Sequence, residues 1–126
     1  MDTYFTNYYR KKIASSAAEG TELPKIVKMA FGDGGLNSDG SVRKETGEET
    51  SLYNELQQKN INGHTFSEDG MSVTVTCALE KNEQNGKSIT EIGLIDESGG
   101  LAGIKFCEPQ KKDADFRYIF ELECKF

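Results

Sequence analysis

Two stretches of the chain alternate between larger apolar side chains and polar or small ones, and this pattern constrains the fold more than any other feature. Residues 71–79 are MSVTVTCAL, and residues 117–126 are RYIFELECKF. Successive side chains of a β-strand point to opposite sides, so a period of two places the apolar residues on one face. The chain must therefore build a sheet with at least one apolar face.

Two further regions are predicted to form strands. Residues 25–31, KIVKMAF, alternate in the same way, and residues 88–106 contain two apolar runs separated by Asp96–Gly100. An interruption of this composition predicts a hairpin, because Gly, Asp and Ser favour tight turns. These strands suit an antiparallel sheet.

Two segments have the sequence features of helices. In residues 5–24, Thr6 or Asn7 can cap the first turn and Gly20 the last, and apolar residues recur every four positions between them. Residues 51–61, SLYNELQQKNI, begin with a capping residue and continue with spaced apolar residues. They predict a short second helix.

Together these elements predict an α+β fold, in which an N-terminal helix and a short second helix pack on a mainly antiparallel β-sheet. A chain of 126 residues can bury one modest core, so residues 1–126 are predicted to form a single domain. Residues 34–50 are polar, contain four glycines and show no periodicity. They predict a flexible loop.

The balance of charge narrows the possible partners. The chain has 21 acidic and 15 basic residues and a net charge of -6, which disfavours a nucleic acid because phosphates require basic partners. No apolar run approaches the roughly 20 residues of a membrane helix, and the N-terminus lacks the apolar core of a signal peptide. We therefore expect no nucleic-acid partner and no membrane partner.

The cysteines and the single histidine offer little material for catalysis. Cys77, Cys107 and Cys124 are an odd number without CxxC spacing, so they predict neither a disulfide framework nor a zinc site. One enzymatic alternative remains open, a small hydrolase in which a thiol of Cys77 or Cys107 meets His64. No local motif supports that pairing, and we predict no catalytic residue, no metal and no cofactor, which means a protein that is not an enzyme.

Residues 30–35, AFGDGG, raise the question of a phosphate site, because a glycine-rich turn after a strand can hold phosphate. The Walker pattern fails since no Gly-Lys-Ser/Thr follows, and GxGxxG fails since Asn37 stands where the third glycine belongs. A calcium loop fails too, because Gly35 and Thr46 occupy positions that need acidic residues. The stretch is predicted to be a strand-ending corner that Asp33 closes through its side chain.

Glu91 interrupts the apolar run ITEIGLI, and Gly93 follows two residues later. A carboxylate in such a strand is either a general acid or base, or an acceptor for backbone amides and a nearby basic side chain. We favour the second, structural role for Glu91. Gly93 predicts a close backbone approach on the same face of the strand.

Four segments in a fixed order carry a resemblance to a known family. They are FTNYYRKKIASSAAEGT (5–21), IVKMAFGDGG (26–35), TSLYNELQQKNI (50–61) and ITEIGLIDESGGLAGI (89–104). In these segments and their order the chain resembles the N-terminal domain of phage tail-collar fibre proteins. It departs from the family pattern at Tyr9, where glycine is usual, at Lys59, where arginine is common, and at Ile95, where phenylalanine is frequent.

The resemblance implies a structural component of a phage or prophage tail fibre that attaches the fibre to the tail baseplate. It implies baseplate proteins as partners and a homo-oligomer, a trimer in the intact fibre. The location that it implies is the virion tail, assembled in the bacterial cytoplasm. It implies no catalytic residue.

We expect the partner contacts at turns, which turn chemistry exposes. The predicted partner-binding residues are Gly32, Asp33, Gly34, Gly35, Asp96, Gly99 and Gly100. An alternative function is a carbohydrate or cell-surface binding module of a fibre, in which Tyr4, Tyr8 and Tyr9 offer rings that stack on sugars.

Overall fold

A computed structural model describes all residues, 1–126, as one helix and eight strands. In chain order the elements are β1 (Tyr4–Phe5), α1 (Asn7–Glu19), β2 (Ile26–Gly32), β3 (Glu55–Asn60), β4 (Gly63–Phe66), β5 (Ser72–Leu79), β6 (Ser88–Asp96), β7 (Leu101–Lys111) and β8 (Tyr118–Lys125). Strands hold 46% of the residues and the helix 10%, so the α+β class is confirmed. Every pair of neighbouring strands in the two sheets is antiparallel.

The N-terminal helix begins and ends where its capping residues predict. The Thr6 side chain accepts a hydrogen bond from the Tyr9 amide, and Gly20 ends the helix with a φ of 72°. This left-handed conformation is one that glycine adopts without steric cost. The helix is neither long enough nor apolar enough to cross a membrane.

The prediction of a second helix at residues 51–61 is wrong. Ser51, Tyr53 and Asn54 form bends, and Glu55–Asn60 is the strand β3, which pairs with β2. The amides of Tyr53 and Asn54 donate to the Glu91 carboxylate rather than to a helical turn. Pairing with the open edge of β2 then satisfies the backbone of β3, and tertiary hydrogen bonds outweigh a weak local preference for helix.

The strands form two sheets that share a core. The five-stranded sheet has the order β1-β7-β6-β2-β3, and the three-stranded sheet has the order β4-β5-β8. The predicted strands at 71–79 and 117–126 are β5 and β8, which pair along their whole length, and the predicted hairpin is β6–β7. The core residues come from both sheets and are Met29, Phe31, Val75, Cys77, Leu79, Ile89, Ile92, Leu94, Phe120, Leu122 and Cys124.

The other face of the five-stranded sheet has a smaller apolar cluster of its own. Ala30, which alternates with the core residues Met29 and Phe31, belongs to this cluster together with Leu52 from the segment before β3. Val42, in the predicted loop at 34–50, packs against it. The loop therefore contributes to covering this face, while its flexibility stays a prediction.

The first residues of the chain connect the two sheets. The amide of Thr3 donates to the carbonyl of Glu123 in β8 over 2.9 Å. The next residues, Tyr4 and Phe5, pair with Ile104 and Gly103 in β7. A single short stretch thus lies along one edge of each sheet.

A polar network joins β3 to the connection between β5 and β6. Glu83 pairs with the ammonium of Lys59 and accepts hydrogen bonds from the Gln57 side chain and the Glu80 amide. Burial is the largest influence on the pKa of Glu83 and acts to raise it, but these hydrogen bonds together outweigh burial and lower the pKa from 4.5 to about 2.

This network predicts a loss of stability in acid. Because the pKa of Glu83 is lower in the folded state, its contribution is present above about pH 4.5 and is lost as the pH falls towards 2. We expect it to be about 1–3 kcal/mol at neutral pH, since one pKa unit corresponds to about 1.4 kcal/mol and partial exposure weakens the effect. Urea unfolding of the wild type and Glu83→Gln across this pH range should show their difference shrinking in acid. A pH-independent difference, like that expected for the exposed Glu108→Gln, would contradict the prediction.

Candidate functional site

The glycine-rich turn after β2 is built around a buried carboxylate. The Glu91 side chain lies on the adjacent strand β6 and is 0% exposed. Its Oε2 accepts hydrogen bonds from the amides of Gly34 and Asn54, each at 2.8 Å, and its Oε1 accepts one from the amide of Tyr53 at 2.7 Å. We call this carboxylate with its three amides the Glu91 site. Just beyond the last ladder pair of β2 and β3, it joins the two segments together with the hydrogen bond from the Asp33 amide to the Asn54 carbonyl.

The glycines of the turn allow backbones to approach where a side chain has no room. A Cβ on Gly32 would lie 2.6 Å from the carbonyl oxygen of Asn54, and a Cβ on Gly34 would lie 2.8 Å from the Asn54 amide. On Gly35 it would lie only 2.0 Å from the carbonyl oxygen of Thr90. These positions thus require glycine for space rather than for an unusual φ.

Gly93 lies on β6 two residues beyond Glu91, and side chains pack over it. A Cβ at this position would lie 2.7 Å from Cδ1 of Leu101 and 3.1 Å from Cδ2 of Leu52. Leu52 immediately precedes the bends that bring Tyr53 and Asn54 to the Glu91 site. The small residue therefore lets that segment lie flat on the sheet.

Above the Glu91 site lies a surface formed by four side chains, which we call the Asp33 surface: Asp33, Arg43, Tyr53 and Asn54. The Asn54 side-chain amide donates to Asp33 Oδ1 over 2.5 Å. Arg43 donates from Nε to the Gly34 carbonyl over 2.8 Å and places its guanidinium 3.8 Å from the centre of the Tyr53 ring. The Tyr53 side chain is 59% exposed. This surface combines a carboxylate, an amide, a guanidinium and an aromatic ring.

Of these four residues, only Asp33 is predicted from the sequence as a contact residue. Tyr53 and Asn54 lay in the segment predicted as a helix, and Arg43 in a loop without periodicity. Their positions follow from the Glu91 site, which has no signature in the local sequence beyond a carboxylate in an apolar strand. That carboxylate was the one signal in the sequence, because a buried carboxylate requires hydrogen-bond donors, here backbone amides from distant parts of the chain.

The predicted hairpin residues begin at the last residue of β6, Asp96, five residues beyond Glu91. Oδ1 of Asp96 accepts from the amides of Ser98 and Gly100, each over 3.0 Å, and Oδ2 accepts from the hydroxyl of Tyr8 over 2.9 Å. Gly100 lies under the Tyr8 ring, where a Cβ would lie 2.1 Å from Cζ. Five residues of strand span about 16 Å, so the structure does not bring the two predicted groups together.

The expectation that turn chemistry exposes all the predicted contact residues is wrong for three of them. Gly32, Gly35 and Asp96 are buried. The segment before β3 covers Gly32, Thr90 of β6 lies against Gly35, and the Tyr8 side chain of α1 covers Asp96. Gly99 is exposed, and Asp33, Gly34 and Gly100 are half-buried.

The hydrogen bond between Tyr8 and Asp96 predicts a measurable effect of removing one hydroxyl. We expect Tyr8→Phe to lower the free energy of unfolding by about 1.5–3 kcal/mol, because it removes a hydrogen bond to a buried carboxylate. Chemical denaturation measures the loss, and Tyr4→Phe is the control, since the Tyr4 side chain is 41% exposed and no hydrogen bond of its hydroxyl is seen. Equal stability of the two variants would contradict the role of this contact.

The residues of the enzymatic alternative are engaged elsewhere. His64 pairs with Val75 in the edge strand β4, and its ring packs edge-on against Phe66 at 5.5 Å between centroids. The thiol of Cys77 donates to the Asn60 carbonyl, that of Cys107 donates to the Ile89 carbonyl, and burial raises the pKa of both. No group of three or more His, Cys, Asp or Glu side chains is arranged to hold a metal ion.

The three tyrosines of the carbohydrate alternative differ in their environments. Tyr9 is 4% exposed and donates from its hydroxyl to the Pro24 carbonyl. Tyr8 is half-buried against the hairpin, and Tyr4 alone presents an exposed ring. The three rings therefore do not form a common exposed platform.

Comparison with known proteins identifies one family. The model of the N-terminal region of phage tail-collar fibre proteins matches residues 1–117 of the chain. No curated protein and no solved structure gives a significant match. The matched region contains all four segments on which the resemblance was based, and three of them, 26–35, 50–61 and 89–104, meet at the Glu91 site.

Proposed function

The chain belongs to the phage tail-collar fibre family, and on that premise we propose that it attaches a tail fibre to the baseplate of the tail. As a member of this family it is a tail-fibre component of the virion tail. Attachment to the baseplate is the role that best fits an N-terminal module with a rigid, built surface. We propose that this role is structural and not enzymatic.

The convergence of three family segments on the Glu91 site is the observation that carries this proposal. A carboxylate that accepts hydrogen bonds from three backbone amides fixes the relative positions of three segments that are far apart in the sequence. The side chains above it consequently have defined positions before any partner arrives. A preorganised surface loses less conformational entropy on binding than a mobile one.

The Asp33 surface has the composition of a protein contact. Tyrosine and arginine are enriched among the residues that dominate binding energy in interfaces, and here the Arg43 guanidinium lies over the exposed Tyr53 ring. Asp33 and Asn54 add a polar pair beside them. We propose that Asp33 and Gly34 contact the baseplate protein directly, while Gly32, Gly35, Glu91 and Gly93 hold the surface in shape.

We propose the hairpin tip as a second contact. Gly99 is exposed at the tip, with a φ of 88° that favours glycine. Asp96 and Gly100 set the shape of the tip through the turn hydrogen bonds and the packing of Tyr8. The two contacts lie at Glu91 and at Asp96, five residues apart along β6, so a partner that touches both must span about 16 Å.

The family resemblance also supports an assembly proposal. We infer that residues 1–126 fold as one domain, because both sheets contribute to one core. A homotrimer in the intact fibre and assembly in the bacterial cytoplasm are what the family implies for a fibre of this type. The net charge of -6 suits a protein partner better than a nucleic acid.

Binding to tails that lack fibres tests the proposal. The purified chain is mixed with tails assembled without fibres by the phage or prophage that encodes it, and co-sedimentation is measured. We expect the wild type to bind and Asp33→Lys to bind at least about tenfold more weakly, since it reverses a charge at the centre of the proposed contact.

Glu68→Lys, in the turn between β4 and β5, is the matched control and should bind like the wild type. Glu68 is exposed and lies outside both proposed contacts. If the wild type fails to bind fibreless tails, baseplate attachment is wrong. If Asp33→Lys binds as well as Glu68→Lys, the assignment of the Asp33 surface is wrong, although attachment by another surface would remain.

A further inference from the structure

The free edges of the two sheets differ in how they are protected. In the five-stranded sheet, one edge strand, β1, has two residues, and the other, β3, has polar or charged side chains at all but one position. In the three-stranded sheet, β4 has four residues. The remaining edge strand, β8, has eight residues and is covered only in part by Met1–Thr3. Long edges without protection are sites of pairing with another strand.

The outward-facing backbone is open from Arg117, the residue before β8, to the amide of Glu121. The amide and carbonyl of Glu123 bond to Met1 and Thr3, and the carbonyl of Glu121 accepts from the N-terminal ammonium. Because the direction of backbone groups alternates along a strand, the amide and carbonyl of Ile119 point to the same side. No residue of the chain pairs with them there, since Met1–Thr3 extends no further.

Large apolar side chains flank this open backbone. Ile119 is 55% exposed, Phe116 is 60% exposed and Met1 is 45% exposed. With Tyr118 and Phe120 they line a groove of about 740 Å³. A contact here would remove an uncommon concentration of apolar surface from water.

The charges beside Ile119 make this edge complementary to itself. Arg117 lies two residues before Ile119 and Glu121 two residues after it, so all three side chains share the outer face. If two copies of the edge run antiparallel with Ile119 opposite Ile119, each Arg117 lies opposite a Glu121 of the other copy. Opposite charges directly across an antiparallel pair are favourable, and like charges are not.

We propose that this edge is an interface between two copies of the chain, in which the β8 strands pair antiparallel about a two-fold axis at Ile119. The amide and carbonyl of Ile119, the carbonyl of Arg117 and the amide of Glu121 face the other copy and form the new hydrogen bonds, while the Glu121 carbonyl keeps the N-terminal ammonium. The two three-stranded sheets then join into one six-stranded sheet. The arrangement is isologous, so each copy contributes the same residues.

The neighbouring structure leaves room for this pairing and limits its length. Beyond Arg117, the chain of each copy turns away from the strand, with the Phe116 amide donating to the Asp113 carbonyl over 3.3 Å. In the proposed register, Arg117 of the other copy lies opposite Glu121, at the end of Met1–Thr3, so the exposed Phe116 of the other copy meets Met1. Arg117 uses only its Nε towards Glu80, so its terminal nitrogens are available for Glu121 of the other copy.

The pairing is distinct from the threefold association proposed for the intact fibre. Three domains related by a threefold axis cannot all pair their edges by a two-fold axis among themselves. The proposed contact thus joins domains of different fibres or dimerises the isolated chain. The five residues from 117 to 121 form a small interface, so we expect a reversible dimer whose population rises with concentration.

Charge reversal tests both the interface and its register. Sedimentation of the wild-type chain should show a species of 14.0 kDa in equilibrium with one of twice that mass. In the dimer, residue 117 of each copy faces residue 121 of the other. Arg117→Glu makes both of these pairs acidic, and Glu121→Arg makes both basic. Each variant alone should therefore associate at least about tenfold more weakly than the wild type. An equimolar mixture of the two variants restores two attractive pairs, and it should therefore regain the dimer. Together with dimerisation of the wild type, this rescue distinguishes the proposed register from a parallel one, in which wild-type Arg117 would lie opposite Arg117 and Glu121 opposite Glu121.

Two further variants keep the test decisive. In the Arg117→Glu variant the new carboxylate faces Glu80, which could prevent folding. If it does, the double variant Glu80→Arg, Arg117→Glu replaces it, because this variant keeps the pair within the chain with the two charges exchanged. Glu48→Arg, an exposed reversal in the loop beside Tyr8 and Lys12, should dimerise like the wild type. A wild-type chain that stays monomeric at every concentration, a trimer of the isolated chain, or a mixture without rescue would overturn the proposal.

Discussion

Replacing Glu91 by alanine is expected to lower the free energy of unfolding by about 4 kcal/mol or more. The carboxylate is fully buried and accepts three backbone hydrogen bonds. Each hydrogen bond to a charged group contributes about 1.5–3 kcal/mol, and the amides left behind lose their only acceptor in the protein. Since domains of this size are stable by only about 5–15 kcal/mol, the variant would be close to unfolding.

The variant Glu91→Gln separates two contributions to stability, that of the charge and hydrogen bonds and that of the size of the side chain. Glutamine preserves the shape but replaces one oxygen by an NH2 group, which then faces a backbone N–H. The two amides bonded to Oε2 can keep their acceptor if the NH2 group takes the position of Oε1. We expect roughly half of the loss seen for Glu91→Ala.

Urea denaturation followed by circular dichroism measures both variants. Glu48→Ala is the control, because Glu48 is exposed and its side chain has no hydrogen-bond partner in the protein. If Glu91→Ala is as stable as Glu48→Ala, the carboxylate does not hold the turn, and the structural role assigned to it is wrong.

Gly35→Ala is expected to cost about 3 kcal/mol or more. Its Cβ would lie 2.0 Å from the Thr90 carbonyl oxygen and 2.6 Å from the carbonyl carbon. These are backbone atoms of a central strand, so the neighbour cannot move aside as a flexible side chain does. The turn must shift instead, which also lengthens the hydrogen bond from the Gly35 amide to the Thr90 hydroxyl.

Gly63→Ala is the matched control for this substitution. No atom lies within 4 Å of a Cβ at that position, and its φ is not in the left-handed region. We expect its unfolding free energy to stay within about 1 kcal/mol of the wild type. Thermal and urea unfolding measure the stabilities of Gly35→Ala and Gly63→Ala relative to the wild type. Similar stabilities would show that the turn is not packed as tightly as its geometry requires.

Glu91→Ala and Gly35→Ala also bear on function. Both should loosen the Asp33 surface without changing any side chain in it. If attachment depends on preorganisation, both should weaken binding to fibreless tails even under conditions where the variants remain folded. Asp33→Lys removes a contact, whereas these variants remove the support beneath it.

The elements that could be predicted are those with a local signal. The alternation at 71–79 and 117–126 predicts β5 and β8, and Thr6 and Gly20 predict the ends of α1. In each case the deciding interaction lies within a few residues, either a repeat of two or a capping hydrogen bond. The strand β3 has no such signal, because its pattern fits a helix as well as a strand.

Much of the candidate site could not be predicted, because its contacts join residues distant in the sequence. Glu91 is recognisable in the sequence as an unusual carboxylate. The amides that donate hydrogen bonds to it, however, belong to Gly34, Tyr53 and Asn54, which lie 57, 38 and 37 residues away. Arg43 contacts Tyr53 only because the Glu91 carboxylate holds the segment with Tyr53 beside the turn. Exposure was misjudged at Asp96 for the same reason, since Tyr8 of the helix covers it.

By itself, then, the sequence determined the strands and the helix with local periodicity, the hairpin, and the family, whose four segments are recognisable in order. The tertiary structure alone decided that residues 55–60 form a strand, that the glycine turn is packed around a buried carboxylate, and that the edge of β8 stays open beside Ile119. The physical reason is common to all three. Each depends on which backbone hydrogen bonds remain to be satisfied after distant segments meet, and no local pattern of residues encodes that.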